Sequence, residues 1–347
     1  MINKNKALTY DDVLLVPQYS DIESRKEVDI KNDLDERICL NLPVISSPMD
    51  TVTEEQMAVA MYDIGGLGIV HRYNTIEKQC EIVRKVYKTF ISSSCTRQIG
   101  GAVGVTGDYL KRAVNLFDAG VNVICIDVAH GHHVLVERAI KSIRDEIGSS
   151  VHIMAGNVAT RKGFEDLADW GASSVRCNVG GGSICSTRIQ TGHGMPGLQT
   201  IMDCAISDRD TKIIADGGIR SSGDIVKALA AGADFVMLGS MLAGTEESPG
   251  FMIVDEGGNK SKTYRGMASK EAQMNWRGKY SSNEGITTMI PYKGSVANVL
   301  EEIRAGITSG FSYSGARNIK ELQAKAQFIC QTNAGLSESH THILRTK

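Results

Sequence analysis

Short apolar runs alternate along the chain with longer amphipathic stretches. Runs at Pro43–Ser47, Leu67–His71, Gly101–Val105, Val121–Asp127, His152–Gly156, Ser174–Asn178, Lys212–Asp216 and Phe235–Gly239 read as eight strands. Apolar positions three and four residues apart predict helices at Glu54–Asp63, Ile76–Val86, Tyr109–Ala119, His133–Ile147, Arg161–Trp170, Leu198–Ser207 and Gly223–Ala231. A further helix near Val296–Ser309 would close a ring. The strands do not alternate polar with apolar, so both of their faces are buried, as in a parallel sheet covered by helices. Eight β–α units in order predict a single-domain TIM (β/α)8 barrel, although an open doubly wound sheet would share the local pattern.

The polar residues fall where such a barrel needs them. Ser47, His71, Asp127, Asn157, Cys185, Asp216 and Gly239 lie at or just past the C-terminal ends of strands, the face that carries barrel active sites. The rhythm breaks at Asp255–Ser295, a long polar segment that reads as a lid or binding loop. The barrel domain is expected to run over 1–335 with this flap at about 255–295, and the tail 336–347 to lack regular structure.

Candidate chemistry centres on Val179-Gly180-Gly181-Gly182-Ser183-Ile184-Cys185. Successive glycines let a backbone approach a ligand, and a thiol among loop N–H groups is easily ionised. Asp216-Gly217-Gly218 and Gly239-Ser240 match the phosphate cradle formed after the seventh and eighth strands of barrels. A nucleophile beside a phosphate cradle points to covalent chemistry on a phosphorylated small molecule.

Composition narrows the rest. The 347 residues are 42% hydrophobic and 22% charged with a net charge of −2, so no basic field marks a nucleic-acid partner. No apolar run is long enough to span a membrane, and Met1–Lys6 lacks a signal-like segment, so a cytoplasmic protein is expected. The eight cysteines, at 39, 80, 95, 125, 177, 185, 204 and 330, never form Cys-x-x-Cys. Zinc and disulfides are therefore not expected, and Cys125, Cys177 and Cys204 read as core fillers. His130-Gly131-His132-His133 has no carboxylate at ligand spacing and reads as a surface loop.

Several further motifs carry a resemblance: Asp11-Asp12-Val13-Leu14-Leu15-Val16-Pro17, Ser46-Ser47-Pro48-Met49-Asp50-Thr51, Ile126-Asp127-Val128-Ala129-His130-Gly131, Ala155-Gly156-Asn157-Val158, the cysteine loop, Tyr264-Arg265-Gly266-Met267 and Pro291-Tyr292-Lys293-Gly294. Over nearly its whole length the chain resembles the IMP dehydrogenase/GMP reductase family. The resemblance implies a TIM barrel, a homotetramer and a loop cysteine that attacks purine C2.

Within the family the chain is a mosaic. Only Tyr87–Ile99 joins the second helix to the third strand, leaving no room for the CBS modules usual in IMP dehydrogenases. Lys279-Tyr280 is the nearest match to the dehydrogenase flap Arg-Tyr pair, and only Ser281-Ser282-Asn283 separates it from Glu284. This spacing, like Ile22–Asp29, is similar to GMP reductase. Ser47-Pro48-Met49, Ala129-His130-Gly131-His132 and Tyr264-Arg265-Gly266-Met267 look more like the dehydrogenase, and His71-Arg72-Tyr73 departs from the His-Lys of many reductases.

The flap spacing favours an NADPH-dependent GMP reductase. The resemblance then implies Cys185 as nucleophile, with Thr187 and Glu284 as proton donors. It implies nucleotide contacts from Ser47, Met49, Ser183, Asp216, Gly218, Gly239, Ser240, Tyr264, Gly266, Met267 and Ala268. Asp127, Ala129 and Asn157 would face the nicotinamide. The backbone carbonyls of Gly180, Gly182 and Cys185 match the family's potassium loop. The alternatives are an IMP dehydrogenase lacking CBS modules and using NAD, an FMN-dependent barrel oxidoreductase, and a non-catalytic purine-nucleotide binding protein.

Overall fold

A computed structural model describes residues 6–89, 98–281 and 283–341. A short strand, β1 (Val13–Leu15), and a hairpin, β2 (Asn32–Asp35) with β3 (Ile38–Leu40), precede the barrel. Eight parallel strands then follow in chain order: β4 (Val44–Ser46), β5 (Leu67–Val70), β6 (Gly100–Val103), β7 (Val123–Asp127), β8 (His152–Val158), β9 (Ser174–Cys177), β10 (Lys212–Asp216) and β11 (Phe235–Leu238). β11 pairs back onto β4, with Val236 opposite Val44, and the sheet closes. The fold is the TIM barrel that the alternation implies.

The covering helices are α1 (Glu55–Asp63), α2 (Ile76–Thr89), α3 (Tyr109–Ala119), α4 (Val134–Ile147), α5 (Arg161–Asp169), α6 (Thr187–Thr191), α7 (Gly197–Ala205) and α8 (Ser222–Ala230). Their starts are written locally: His133, Thr160 and Ser221 each accept a hydrogen bond from a first-turn N–H of α4, α5 and α8. α2 joins β6 within residues 90–99, with no inserted domain; most of that connection, including Cys95, lies outside the described residues.

Two apolar layers hold the barrel. Between strands and helices lie residues such as Val44, Val70, Ile124, Ile126, Ile153, Ile213 and Val236. Inside, Ile45, Leu67, Ile69, Val123, Cys125, Met154, Ile214, Phe235 and Met237 fill the interior, with Leu34, Ile38 and Leu40 of the hairpin plugging its floor. The two sets alternate along each strand because successive side chains point to opposite faces. Cys125, Cys177 and Cys204 are buried as core residues.

The segment read as a long loop is structured instead. β12 (Met252–Val254), β13 (Lys260–Arg265) and β14 (Thr287–Pro291) form an antiparallel sheet, with α9 (Lys270–Arg277) between the last two. Neither outer strand has a buried face to impose an alternating pattern: β12, all apolar as Met252-Ile253-Val254, is exposed throughout and β14 nearly so. α10 (Val296–Tyr313) packs against α8 and α1, followed by α11 (Ile319–Lys325) and β15 (Phe328–Cys330), which pairs with β1. The tail is also more ordered than expected. α12 (Asn333–Glu338), capped by Thr332, occupies its start, while residues 342–347 lie outside the described ones.

A polar clasp locks the floor. His152 Nδ1 lies 2.9 Å from Asp35 Oδ2 and its Nε2 2.8 Å from Ser174 Oγ. Burial pushes the imidazole below its ordinary pKa of 6.5, so the neutral ring donates to Asp35 and accepts from Ser174. Burial would raise Asp35, but the bond from His152 and the Arg37 N–H outweigh it and hold the carboxyl down at about 2. Both folded-state values are depressed, so the unfolded chain binds more protons and stability falls as pH falls. The histidine contribution is complete above about 6.5 and is lost below it. His152→Gln should therefore cost about 1–3 kcal/mol at pH 7.5, and the deficit should narrow by pH 5. Thermal unfolding of both proteins across that range checks this; a deficit that widens on acidification contradicts it.

Candidate active site

Cys185 stands at the end of the loop that leaves β9. Asn178 and Gly180 turn the chain off the strand with φ of 139° and 79°. The Cys185 N–H then closes onto Gly182 O at 3.1 Å, and α6 begins at Thr187. Residues between α9 and β14 run alongside this loop. Ser186 N–H donates to Glu284 O and Ile286 N–H to Ile184 O, each at 3.0 Å, and Cys185 pairs with Gly285 in an antiparallel bridge.

That seam delivers a carboxylate to the thiol. Cys185 Sγ donates to Thr187 Oγ1 at 3.2 Å, and the Thr187 hydroxyl donates to Glu284 Oε2 at 2.8 Å. The three groups form a hydrogen-bonded path along which a proton can pass between the carboxylate and a group reacting at sulfur.

Two adjoining cavities meet at Cys185. The smaller, about 210 Å³, is lined by every residue assigned above to the nucleotide: Ser47, Met49, Ser183, Asp216, Gly218, Gly239, Ser240, Tyr264, Gly266, Met267 and Ala268, with Cys185, Thr187 and Glu284. The larger, about 350 Å³, is lined by Asp127, Ala129 and Asn157, together with Gly180 and Gly182. Cys185, Thr187, Asp216 and Met267 face both. The flap roof is tied down by Arg265, whose guanidinium donates to both oxygens of Asp50, at 3.2 Å to Oδ1 and as close as 2.6 Å to Oδ2.

The two glycine loops touch directly. Gly217 has φ of 90°, which strains any L side chain, and a Cβ there would press on the Gly182 nitrogen at 3.1 Å. Tyr264 is buried over the same cavity, and burial pushes its hydroxyl up to about 12, so it stays neutral.

The residue that organises this floor, Arg176, belongs to no motif of the sequence; it sits in β9 facing the barrel interior. Its Nη1 donates to Asp127 Oδ1 at 2.8 Å, and its Nε and Nη2 to Asp216 Oδ2 at 3.0 and 2.9 Å. Asn157 Nδ2 adds a bond to the same Asp216 oxygen at 2.8 Å. Arg72 approaches from the other side, its Nη2 on Asp127 O at 3.1 Å. Burial would raise the Asp127 pKa, but Arg176 and Arg72 hold it below the usual carboxylate range. A signal was present: an arginine inside a strand buried on both faces needs a carboxylate partner. Arg72, Tyr73 and Arg277 also line the larger cavity unforeseen.

The histidine cluster has separate roles. His132 Nε2 meets Asp166 Oδ2 at 2.8 Å, and His133 Nδ1 accepts the Leu135 N–H to cap α4.

Residues 7–342 match the family described as IMP dehydrogenase / GMP reductase domain. The chain is 38% identical over 390 aligned positions to inosine-5'-monophosphate dehydrogenase of Cryptosporidium parvum, covering 98% of this chain and 96% of that protein. It is 35% identical over 471 positions to inosine-5'-monophosphate dehydrogenase of Nitrosopumilus maritimus, covering 97% and 98%. It is 32% identical over 477 positions to GMP reductase of Leishmania major, covering 97% of each. Among solved structures, a cysteine-to-alanine variant of GMP reductase from Trypanosoma brucei, in complex with guanosine 5'-monophosphate, superposes with a TM-score of 0.91. It is 32% identical and covers 97% of this chain and 98% of that one.

The Arg176 geometry makes Asp216 structural as well as cavity-lining. Asp216→Ala should lower stability by about 3–5 kcal/mol, the usual cost of stripping one partner from a buried ion pair. Asp216→Asn, which keeps an acceptor oxygen, should lose less. Chemical denaturation measures both; an alanine variant as stable as wild type would show that Asp127 alone suffices for Arg176.

Proposed function

The chain belongs to the IMP dehydrogenase/GMP reductase family of oxidoreductases, and within it we propose that it is a GMP reductase. The reaction takes GMP, NADPH and two protons to IMP, NADP⁺ and ammonium. The observation that carries this reading is the Cys185–Thr187–Glu284 path, at 3.2 and 2.8 Å. It is closed by a flap in which only residues 278–286 separate α9 from β14.

In this reading the Cys185 thiolate adds to C2 of GMP in the smaller cavity, and Thr187, resupplied by Glu284, protonates the departing amine. Sulfur is left on C2 as a thioimidate. NADPH, when bound in the larger cavity, supplies the hydride that takes the amine's place, and the thiolate then leaves as IMP forms. Splitting one displacement into two steps is what makes it accessible. Asp216 receives the ribose hydroxyls while its Oδ2 stays on Arg176, and Gly218, Gly239, Ser240 and Tyr264 take the phosphate.

The larger cavity suits a nicotinamide dinucleotide. Asp127, Ala129 and Asn157 lie beside Cys185, while Arg72 and Arg277 bring positive charge for phosphates. For potassium at the carbonyls of Gly180, Gly182 and Cys185, Gly182 O keeps one lone pair beyond the bond from Cys185 N–H. IMP dehydrogenase is the second reading; Lys279 and Tyr280, the nearest match to its flap pair, line neither cavity.

NADPH oxidation with GMP should run well, and IMP with NAD should give at most a poor multiple-turnover dehydrogenase. Brisk XMP formation from IMP with no NADPH oxidation by GMP would reverse the assignment. Glu284→Gln should lower the GMP rate about 10²–10⁴-fold, the range for a positioned acid–base group. Cys185→Ser should abolish turnover and leave GMP binding largely intact, because a hydroxyl is far less nucleophilic than a thiolate. Mass spectrometry of the wild-type enzyme trapped with nucleotide should find the adduct on Cys185, and near-normal activity in the serine variant would exclude a covalent route.

A further inference from the structure

The Pro291-Tyr292-Lys293-Gly294 motif takes no part in the proposed chemistry, and Lys293 lines neither cavity. Its ammonium nevertheless reaches back under the flap sheet. Nζ donates to Ser240 O at 2.5 Å and to Met241 O at 3.2 Å, while the Lys293 N–H donates to Gly244 O at 2.9 Å. Lys262, on β13, does the same one turn further on, donating to Thr245 O at 2.9 Å, Glu246 O at 3.2 Å and Ser248 O. Two lysines of the flap, Lys262 within its sheet and Lys293 just past it, thus collect the carbonyls of the turn that follows β11.

The start of that turn belongs to the smaller cavity, which Gly239 and Ser240 line. Gly239 O is committed to the N–H groups of Leu242 and Ala243, at 3.1 and 2.8 Å. A trans peptide is planar, so each C=O points opposite to the following N–H. Drawing Ser240 O onto Lys293 therefore turns the Met241 N–H away from the lysine, and the Gly239 bonds set the Ser240 N–H in the same way.

We propose that Lys293 is a positioning residue for recognition of the substrate's 5′-phosphate. It holds the Ser240 and Met241 carbonyls out of the cavity, so that the turn offers the phosphate N–H donors and not carbonyl oxygens. The proposal rests on reading the smaller cavity as a purine-nucleotide site. Lys262 grips only residues that line neither cavity, so it supports the loop without selecting what faces the phosphate.

The test compares GMP with guanosine, which lacks the phosphate, by calorimetry and steady-state kinetics on Lys293→Met, Lys293→Gln, Lys293→Arg and wild type. Loss of Lys293 should raise the Kd and KM for GMP about tenfold, the effect of losing a charge-assisted bond that acts in ground and transition states alike. Guanosine affinity should stay unchanged and kcat within about twofold. Arginine, which keeps the charge and donors, should recover most of the GMP affinity, and glutamine carries the comparison should methionine destabilise the turn. If wild type prefers GMP over guanosine and the variants prefer it equally, the role of Lys293 is overturned and the nucleotide site stands. If folded wild type does not discriminate GMP from guanosine, both are overturned.

Discussion

A guanidinium inside a barrel must be neutralised where it lies, because water is not there to do it. Arg176 projects into the interior from β9 and is met by Asp127 from β7 and Asp216 from β10, with Asn157 of β8 completing the shell around Asp216. Four neighbouring strands are thus fixed at their C-terminal ends by one buried charge. Gly156 makes room for it, since a Cβ there would sit 2.6 Å from Arg176 Cβ. The loops after β7, β8, β9 and β10 that line the two cavities leave from strand ends held by this cluster. The site floor is therefore as rigid as the barrel, and the carboxylates that face the cavities are the same ones that hold the fold.

The roof is built on a different principle. It comes from a small antiparallel sheet applied to the barrel from outside and held by discrete polar contacts: Arg265 on Asp50, and the two flap lysines on the carbonyls after β11. Glu284 reaches Thr187 through the backbone seam between residues 283–286 and 184–186. The hydrogen-bonded chain from Cys185 to Glu284 therefore exists only with the roof in place. A rigid floor that carries Cys185, closed by a separate roof that brings Glu284, suits the proposed reaction, whose proton transfers must await a bound substrate.

The barrel was legible in the sequence because its determinants are local. Burial of both strand faces, helical spacing of apolar residues and capping side chains at helix starts are each written within a dozen residues. So is the cysteine loop, whose glycines announce a close backbone approach. What could not be read locally are contacts made across the chain. The flap sheet buries little, so its strands carry no apolar period and its pairing is decided by backbone bonds that any residue can make. Arg176 hid within a strand whose neighbours looked apolar, and its partners are 49 and 40 residues away. Thr187 and Glu284, 97 residues apart, became candidates together only through resemblance to a family. The sequence by itself determined the eight-fold alternation, the inward and outward faces and the position of the cysteine loop. Tertiary structure alone decided which charges share the barrel mouth and which carboxylate serves the thiol, because those depend on ring closure and on the seating of the flap, and neither leaves a period in the chain.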